Sequence, residues 1–287
     1  VATVPWLDKV EYPFRSNFIS IGGNKLHYVD EGSGTPVLMV HGTPEWSFGY
    51  RYIIKGLSGD FRCIAPDLLG MGLSDKPADA DYSCRAHADR LEQFITRLGL
   101  KNINIIANDF GGSIAMSYAI KYPQNIHRIC LFNTWMWSVK NDKHYATPAK
   151  VMRSWLGKIL YKQFNFPVNV IMPRAFGDRT RLSGNIHKHY KLALPTSKER
   201  CAIFAFAKEL LDASAWWDSL WAQMDKIKTK PFLFFWGMKD KFIPPYELAK
   251  WQNVLPSSQV VKFEAAGHFV QEEEPEKMIM ELKKFFA

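Results

Sequence analysis

The sequence has few cysteines, no long apolar run and no block of like charge. Its four cysteines, Cys63, Cys84, Cys130 and Cys201, stand 21, 46 and 71 residues apart, which matches no zinc or redox motif. They are expected to be reduced, with Cys63 and Cys130 buried in strands, and they point weakly to a cytoplasmic protein. No apolar run reaches the roughly 20 residues of a membrane-spanning helix; the longest, such as PFLFFWG at 231–237, have strand length. The opening residues lack a basic start followed by an apolar stretch, so no signal peptide is expected. The formal charge is +9, but the lysines and arginines are dispersed, with no block of five or more. A nucleic-acid partner, which would want them gathered on a strip or tail, is therefore not expected. Internal repeats, low-complexity tracts and flexible linkers are absent, and no metal or cofactor motif is present.

What the chain does have is core-forming material: 47% hydrophobic and 14% aromatic residues over 287 positions. Short β-rich runs fall at 17–21, 25–30, 36–40, 62–66, 102–108, 128–133, 231–237 and 259–265. The central ones (PVLMV, NINIIAN, RICLFN, PFLFFWG) are almost continuously apolar, as strands covered by helices on both faces must be. Helical spacing occurs at 48–57, 83–98, 112–121, 245–254 and 275–286. This alternation predicts an α/β protein with a mostly parallel central sheet and helices on both faces. It breaks at 137–225, where two long segments carry helical spacing and nothing reads as a buried strand. The expected organisation is a core of 1–136 and 226–287 with an inserted all-helical cap at 137–225.

The chemistry is carried by one turn. Between the strand at 102–108 and the helix after it lies Ala107-Asn108-Asp109-Phe110-Gly111-Gly112. Small residues two before and two after Asp109 allow the tight strand–turn–helix that lifts a nucleophile above a sheet edge, with Asp in place of the common Ser. The turn also aims the backbone N–H of Phe110 and a helix start at the same point. An ionised carboxylate needs no base to attack carbon, and the ester it forms must then be cleaved by activated water. The alternative is that Asp109 only caps the helix.

Three further segments fall where such a site needs them. His41-Gly42-Thr43-Pro44 follows PVLMV, and the Thr43 N–H there is the expected second backbone donor; a plain Gly-Pro turn is the competing reading. His41 itself is expected to be structural. Asp240, in Gly237-Met238-Lys239-Asp240, ends a late strand, where a carboxylate can orient a histidine. His268, in Gly267-His268-Phe269, follows the last strand and can act as base.

These phrases, HGTPEWSFGYR, IAPDLLGMGLSDKP, NDFGG, GMKDK and AGHFVQE, resemble the haloalkane dehalogenase family of the α/β hydrolases over nearly the whole chain. The resemblance implies the α/β-hydrolase fold, a triad of Asp109, His268 and Asp240, and hydrolysis through a covalent aspartyl ester. It also implies the branch whose triad acid follows the later strand, since the other branch's position holds Asn133, which carries no charge. Two positions depart from the family. Its usual Trp after the nucleophile, whose indole N–H grips the departing halide, is Phe110, which has no donor. Its usual Asn or Glu in the HGxP loop is Thr43. Trp135, Trp137 and Trp155 are alternative candidates for holding the leaving group, with core packing as the competing reading. Trp216, Trp217 and Trp221 are expected to seal the cap to the core.

The implied partners are a small apolar organic substrate and water, with no cofactor, no nucleic acid and no membrane, on a monomer or homodimer. The basic amphipathic segment at 150–162 is expected to be a cap helix that shows its basic face to solvent, with contact to a membrane surface as the competing reading. Other readings of the same scaffold are an epoxide hydrolase using Tyr145, Tyr161 or Tyr190, a coelenterazine-type luciferase and a non-catalytic binding protein.

Overall fold

The computed structural model describes residues 4–287. Eight strands, β1 (Asn17–Ile21), β2 (Asn24–Glu31), β3 (Pro36–Val40), β4 (Arg62–Pro66), β5 (Ile103–Asn108), β6 (Ile126–Phe132), β7 (Phe232–Gly237) and β8 (Gln259–Phe263), form one sheet in the order β1-β2-β4-β3-β5-β6-β7-β8. The pairs β1–β2 and β2–β4 are antiparallel, and all pairs from β4 to β8 are parallel. β5 and β7 are buried at every residue, which is why their sequences show no polar alternation. Cys63 and Cys130 are buried in β4 and β6, and all four thiols are free.

Six helices pack on the sheet: α1 (Arg51–Leu57), α2 (Cys84–Arg97), α3 (Asp109–Lys121) and, after the helical segment described next, α10 (Tyr246–Val254), α11 (Val270–Glu273) and α12 (Pro275–Phe286). Between β6 and β7 the chain makes α4 (Lys143–Met152), α5 (Trp155–Lys162), α6 (Met172–Ala175), α7 (Gly184–Leu192), α8 (Cys201–Asp212) and α9 (Ser214–Trp221), with no strand. Trp217 on α9 is fully buried and donates Nε1–H to the Ser113 hydroxyl on α3 (3.1 Å), so this segment is fastened to the helix that starts at Asp109. No helix among the described residues is long and apolar enough to cross a membrane.

Two boundaries bear on the site. The helix expected from 112 starts at Asp109, so the carboxylate sits on its first turn. The helix expected from 48 begins as a 3₁₀ turn at Ser47–Tyr50 and becomes α1 only at Arg51.

Candidate active site

Asp109 takes φ 48°, a left-handed conformation that is costly for a residue with a Cβ. Its neighbours hold it there: Asp109 N–H donates to the Asn133 carbonyl (3.1 Å), and the Thr134 hydroxyl donates to the Asp109 carbonyl (2.6 Å). Small residues around it are required by space. A Cβ on Gly42 would strike the Asp109 side chain, and one on Gly111 would strike the carbonyls of Val40 and His41.

The ends of β3, β5, β7 and β8 meet at this point. Thr43 N–H donates to Asp109 Oδ1 (2.9 Å). His268 Nε2 lies 3.6 Å from Asp109 Oδ2, and its Nδ1 donates to Asp240 Oδ2 (2.8 Å). Asp240 Oδ1 accepts from the N–H groups of Phe242 (2.7 Å) and Ile243 (3.1 Å). Asp109, Asp240 and His268, far apart in sequence, are thus brought together and all buried, with His268 hydrogen-bonded to Asp240 and within ion-pair distance of Asp109. The histidine loop is fixed on three sides: His268 N–H to the Ala175 carbonyl (2.8 Å), Gly267 N–H to Glu273 (2.8 Å), and the buried Arg51–Glu272 ion pair just beyond.

Burial raises the Asp109 carboxyl above its ordinary value, while the His268 charge and the N–H groups of Phe110 and Thr43 pull it back. Burial alone would lower His268, but the charges of Asp240, Asp109 and Glu45 outweigh it and raise the imidazole to about 9. His41, expected to be structural, is buried with both nitrogens engaged, Nδ1–H to the Gly42 carbonyl (2.7 Å) and Nε2 from Leu68 N–H (2.9 Å).

Above the triad is a cavity of about 250 Å³. Phe110, Trp135, Tyr145, Met152, Tyr161, Phe206 and Phe242 are among its walls, with Thr43, Asp109 and His268 at its floor. Of the three candidate tryptophans only Trp135 belongs here. Its indole N–H is buried with no partner, as are the Thr43 hydroxyl and the Tyr145 phenol. Trp137 does not: its N–H is spent on Glu247 (3.1 Å) and its ring packs on Trp221 and Trp251. Trp155 does not either, being 75% exposed on the outer side of α5. Spacing alone could not tell which side of that helix turns inward. Tyr145 and Tyr161 line the cavity, whereas Tyr190 is committed to Glu272 (2.5 Å).

Two residues escaped the motif argument. Asn133 donates Nδ2–H to Asp240 Oδ2 (2.7 Å), accepts from Gly237 N–H (3.0 Å) and supplies the carbonyl under Asp109. Its only sequence signal was its place at the end of a core strand. Glu45 is buried behind the triad, accepting from Asn108 (2.6 Å) and Gln271 (2.5 Å), and burial raises it to about 7. A charged residue directly after Thr43-Pro44 was its only mark. Among the described residues no group of three His, Cys, Asp or Glu side chains is placed to hold a metal ion.

A buried carboxylate on a strained strand-to-helix turn, two backbone donors and a His–Asp pair define an α/β-hydrolase site. The alpha/beta hydrolase fold family matches residues 35–275. The chain belongs to that family, and within it is a dehalogenase-like enzyme. It is 34% identical to haloalkane dehalogenase 2 of Mycobacterium tuberculosis, over 93% of each chain. It is also 34% identical to the cis-3-alkyl-4-alkyloxetan-2-one decarboxylase of Shewanella oneidensis, over 96% of this chain and 89% of that one. The crystal structure of the haloalkane dehalogenase DatA from Agrobacterium tumefaciens superimposes with a TM-score of 0.85 at 25% identity, covering 94% of this chain and 95% of that one.

Proposed function

We propose that Asp109 displaces a leaving group, a halide in the first instance, from a tetrahedral carbon of a small apolar substrate, and that water activated by His268 then hydrolyses the aspartyl ester. The observation that carries this reading is a buried carboxylate with one oxygen 3.6 Å from His268 Nε2 and the other on the Thr43 N–H, under an apolar cavity. Segment 137–225 acts as the cap over that cavity, and the four free thiols suit a reducing, cytoplasmic setting.

In the first step a lone pair of Asp109 Oδ2 forms the C–O bond as the carbon–halogen bond breaks and halide leaves. Esterification removes the Asp109 charge, one of those that raise His268, so the imidazole loses its proton more easily once the ester exists. Water then attacks Cγ of Asp109 while His268 Nε2 takes its proton and Asp240 stabilises the imidazolium. The oxyanion forms where the Thr43 and Phe110 N–H groups converge. Collapse releases the alcohol and restores the carboxylate.

One observation favours a second reading. Phe110 offers the departing halide no donor, whereas a carboxylate that leaves but stays tethered to the substrate spreads its charge over two oxygens and needs no halide site. With a cis-3,4-dialkyl-oxetan-2-one, Asp109 would attack C4 and the ring C4–O bond would break to free a carboxylate. Loss of CO₂ from C3 would send its electron pair into a C3=C4 double bond and expel Asp109, without water. A single turnover in ¹⁸O-water separates the two. Haloalkane hydrolysis puts the label into the Asp109 carboxylate. The lactone route yields alkene and CO₂ with no label there. Turnover of a haloalkane with the label only in the alcohol would rule out the ester.

A further inference from the structure

Five of the nine exposed large apolar side chains among the described residues fall within one fourteen-residue stretch: Val151, Trp155, Leu156, Ile159 and Phe164. They lie at the end of α4, along α5 and just past it. Trp155 is 75% and Phe164 63% exposed. Exposed large apolar side chains gathered in this way on a folded domain mark an interaction site. The cavity does not account for it, because α4 and α5 turn Met152 and Tyr161, not these residues, toward the cavity.

The surrounding charge identifies the partner. From residue 143 to residue 177 the sequence has no Asp or Glu but six basic residues: Lys143, Lys150, Arg153, Lys158, Lys162 and Arg174. Among the described residues only Arg153 of these six forms an ion pair, with Asp212 (2.6 Å). Beside α5 a cleft of about 200 Å³ is lined by Lys158, Lys162 and Lys198 together with Ile159. Exposed Trp, Leu, Ile and Phe rimmed by lysines form the pattern of a helix lying in a lipid headgroup layer. Indole rings settle at that level, and lysine stems reach past apolar groups to phosphate. A second copy of the chain fits poorly: a two-fold pairing of the patch would set the same six cations against one another.

We infer that the outer face of α4 and α5 docks on an anionic lipid surface, with Trp155, Leu156, Ile159 and Phe164 in the headgroup layer and Lys150, Lys158, Lys162 and the neighbouring Lys198 on the lipid phosphates. This takes up the competing reading of the segment, contact with a membrane surface, in place of the preferred one. The docking is independent of which bond Asp109 attacks.

The test is co-sedimentation of the full chain with phosphatidylcholine vesicles containing about one quarter phosphatidylglycerol, and with phosphatidylcholine alone. The wild type should pellet with the first and not the second. The double variants Trp155→Ser with Ile159→Ser, and Lys158→Glu with Lys198→Glu, should remain in the supernatant with an unchanged melting temperature. Each reversed lysine should weaken binding about tenfold or more. The two variants remove different contributions, so either one, shown folded, decides the matter. Wild type that stays in the supernatant with the anionic vesicles overturns the inference, as does a folded variant that pellets like wild type. So does a wild-type dimer that Trp155→Ser with Ile159→Ser converts to monomer, which would make the patch a self-interface.

Discussion

Asp240, beneath the floor of the cavity and behind His268, accepts four hydrogen bonds, from Asn133, Phe242, Ile243 and His268. Trp135 and Tyr145, in the wall above it, are equally buried and donate none. The reacting groups of the floor are held before any substrate arrives, and only the Thr43 hydroxyl there lacks a partner, so the same chemistry is offered to any electrophile. The wall keeps buried donors in reserve. A buried polar group without a partner is costly, and a substrate or leaving group that satisfies it gains that energy back. The contrast teaches that reaction type belongs to the floor and leaving-group choice to the wall.

Breaking the floor should have the largest effects. Asp109→Asn should cut turnover more than about 10³-fold while circular dichroism stays native, since the covalent nucleophile is gone. Activity within a few-fold of wild type would remove Asp109 from its role. Asp240→Asn should follow, at about 10²- to 10⁴-fold in the hydrolytic step, because the histidine loses the charge that stabilises its protonated form. Asn133→Ala should cost about tenfold, one hydrogen bond to a charged group, measured as steady-state rate; a loss as large as that of Asp240→Asn would move the key acid contact to Asn133.

Changes in the wall should be smaller and substrate-dependent. Trp135→Phe removes the free N–H and should slow carbon–halogen cleavage about tenfold, most for chloride. An equal effect on all leaving groups in a burst-phase assay would show that Trp135 only fills space. Phe110→Trp would restore a donor beside the nucleophile, but Phe110 is already packed against Phe206, Trp135 and Trp217, with centroids 4.8, 5.0 and 6.0 Å away. Overpacking should lower stability by about 1–3 kcal/mol, seen as a drop in melting temperature; an unchanged melting temperature with faster halide release would mean that the wall yields.

Two buried histidines sharpen the same contrast through pH. His268 in the floor is raised to about 9, so its stabilising contribution is complete below 6.5 and is lost as pH rises from there to 9. His87 stacks under Phe206 (5.0 Å) with both ring nitrogens unpartnered, and burial, then Arg90 and His41, lower it to about 3. The unfolded chain therefore binds the extra proton, and stability falls as pH drops below 6.5. Chemical-denaturation midpoints across pH should show both limbs. His87→Phe should flatten the acid limb and Asp240→Asn the alkaline one; limbs unchanged by these variants would assign the pH dependence to other groups.

The floor was legible in the sequence because each of its residues begins a helix or lies in the loop that follows a strand, where turn chemistry leaves a mark. Asp109 stands between small residues, Asp240 follows PFLFFWG, and His268 sits between Gly267 and Phe269. The sheet was legible for the same reason, its buried strands being continuous apolar runs. The wall was not, because its residues are chosen by how helices pack. Trp135, Trp137 and Trp155 look alike in sequence, yet one lines the cavity, one is bound to Glu247 and one faces outward. Glu45 was invisible because its partners, Asn108 and Gln271, lie 63 and 226 residues away.

The central claim is a covalent ester on Asp109, and His268→Ala tests it most directly by removing the base that should cleave it. Intact-protein and peptide mass spectrometry after incubation with an iodo- or bromoalkane should show one alkyl group, located on the peptide carrying Asp109, in stoichiometric amount and with one equivalent of halide released. A folded His268→Ala protein that releases halide without any adduct on Asp109, or that carries the alkyl group on another residue, would contradict the account.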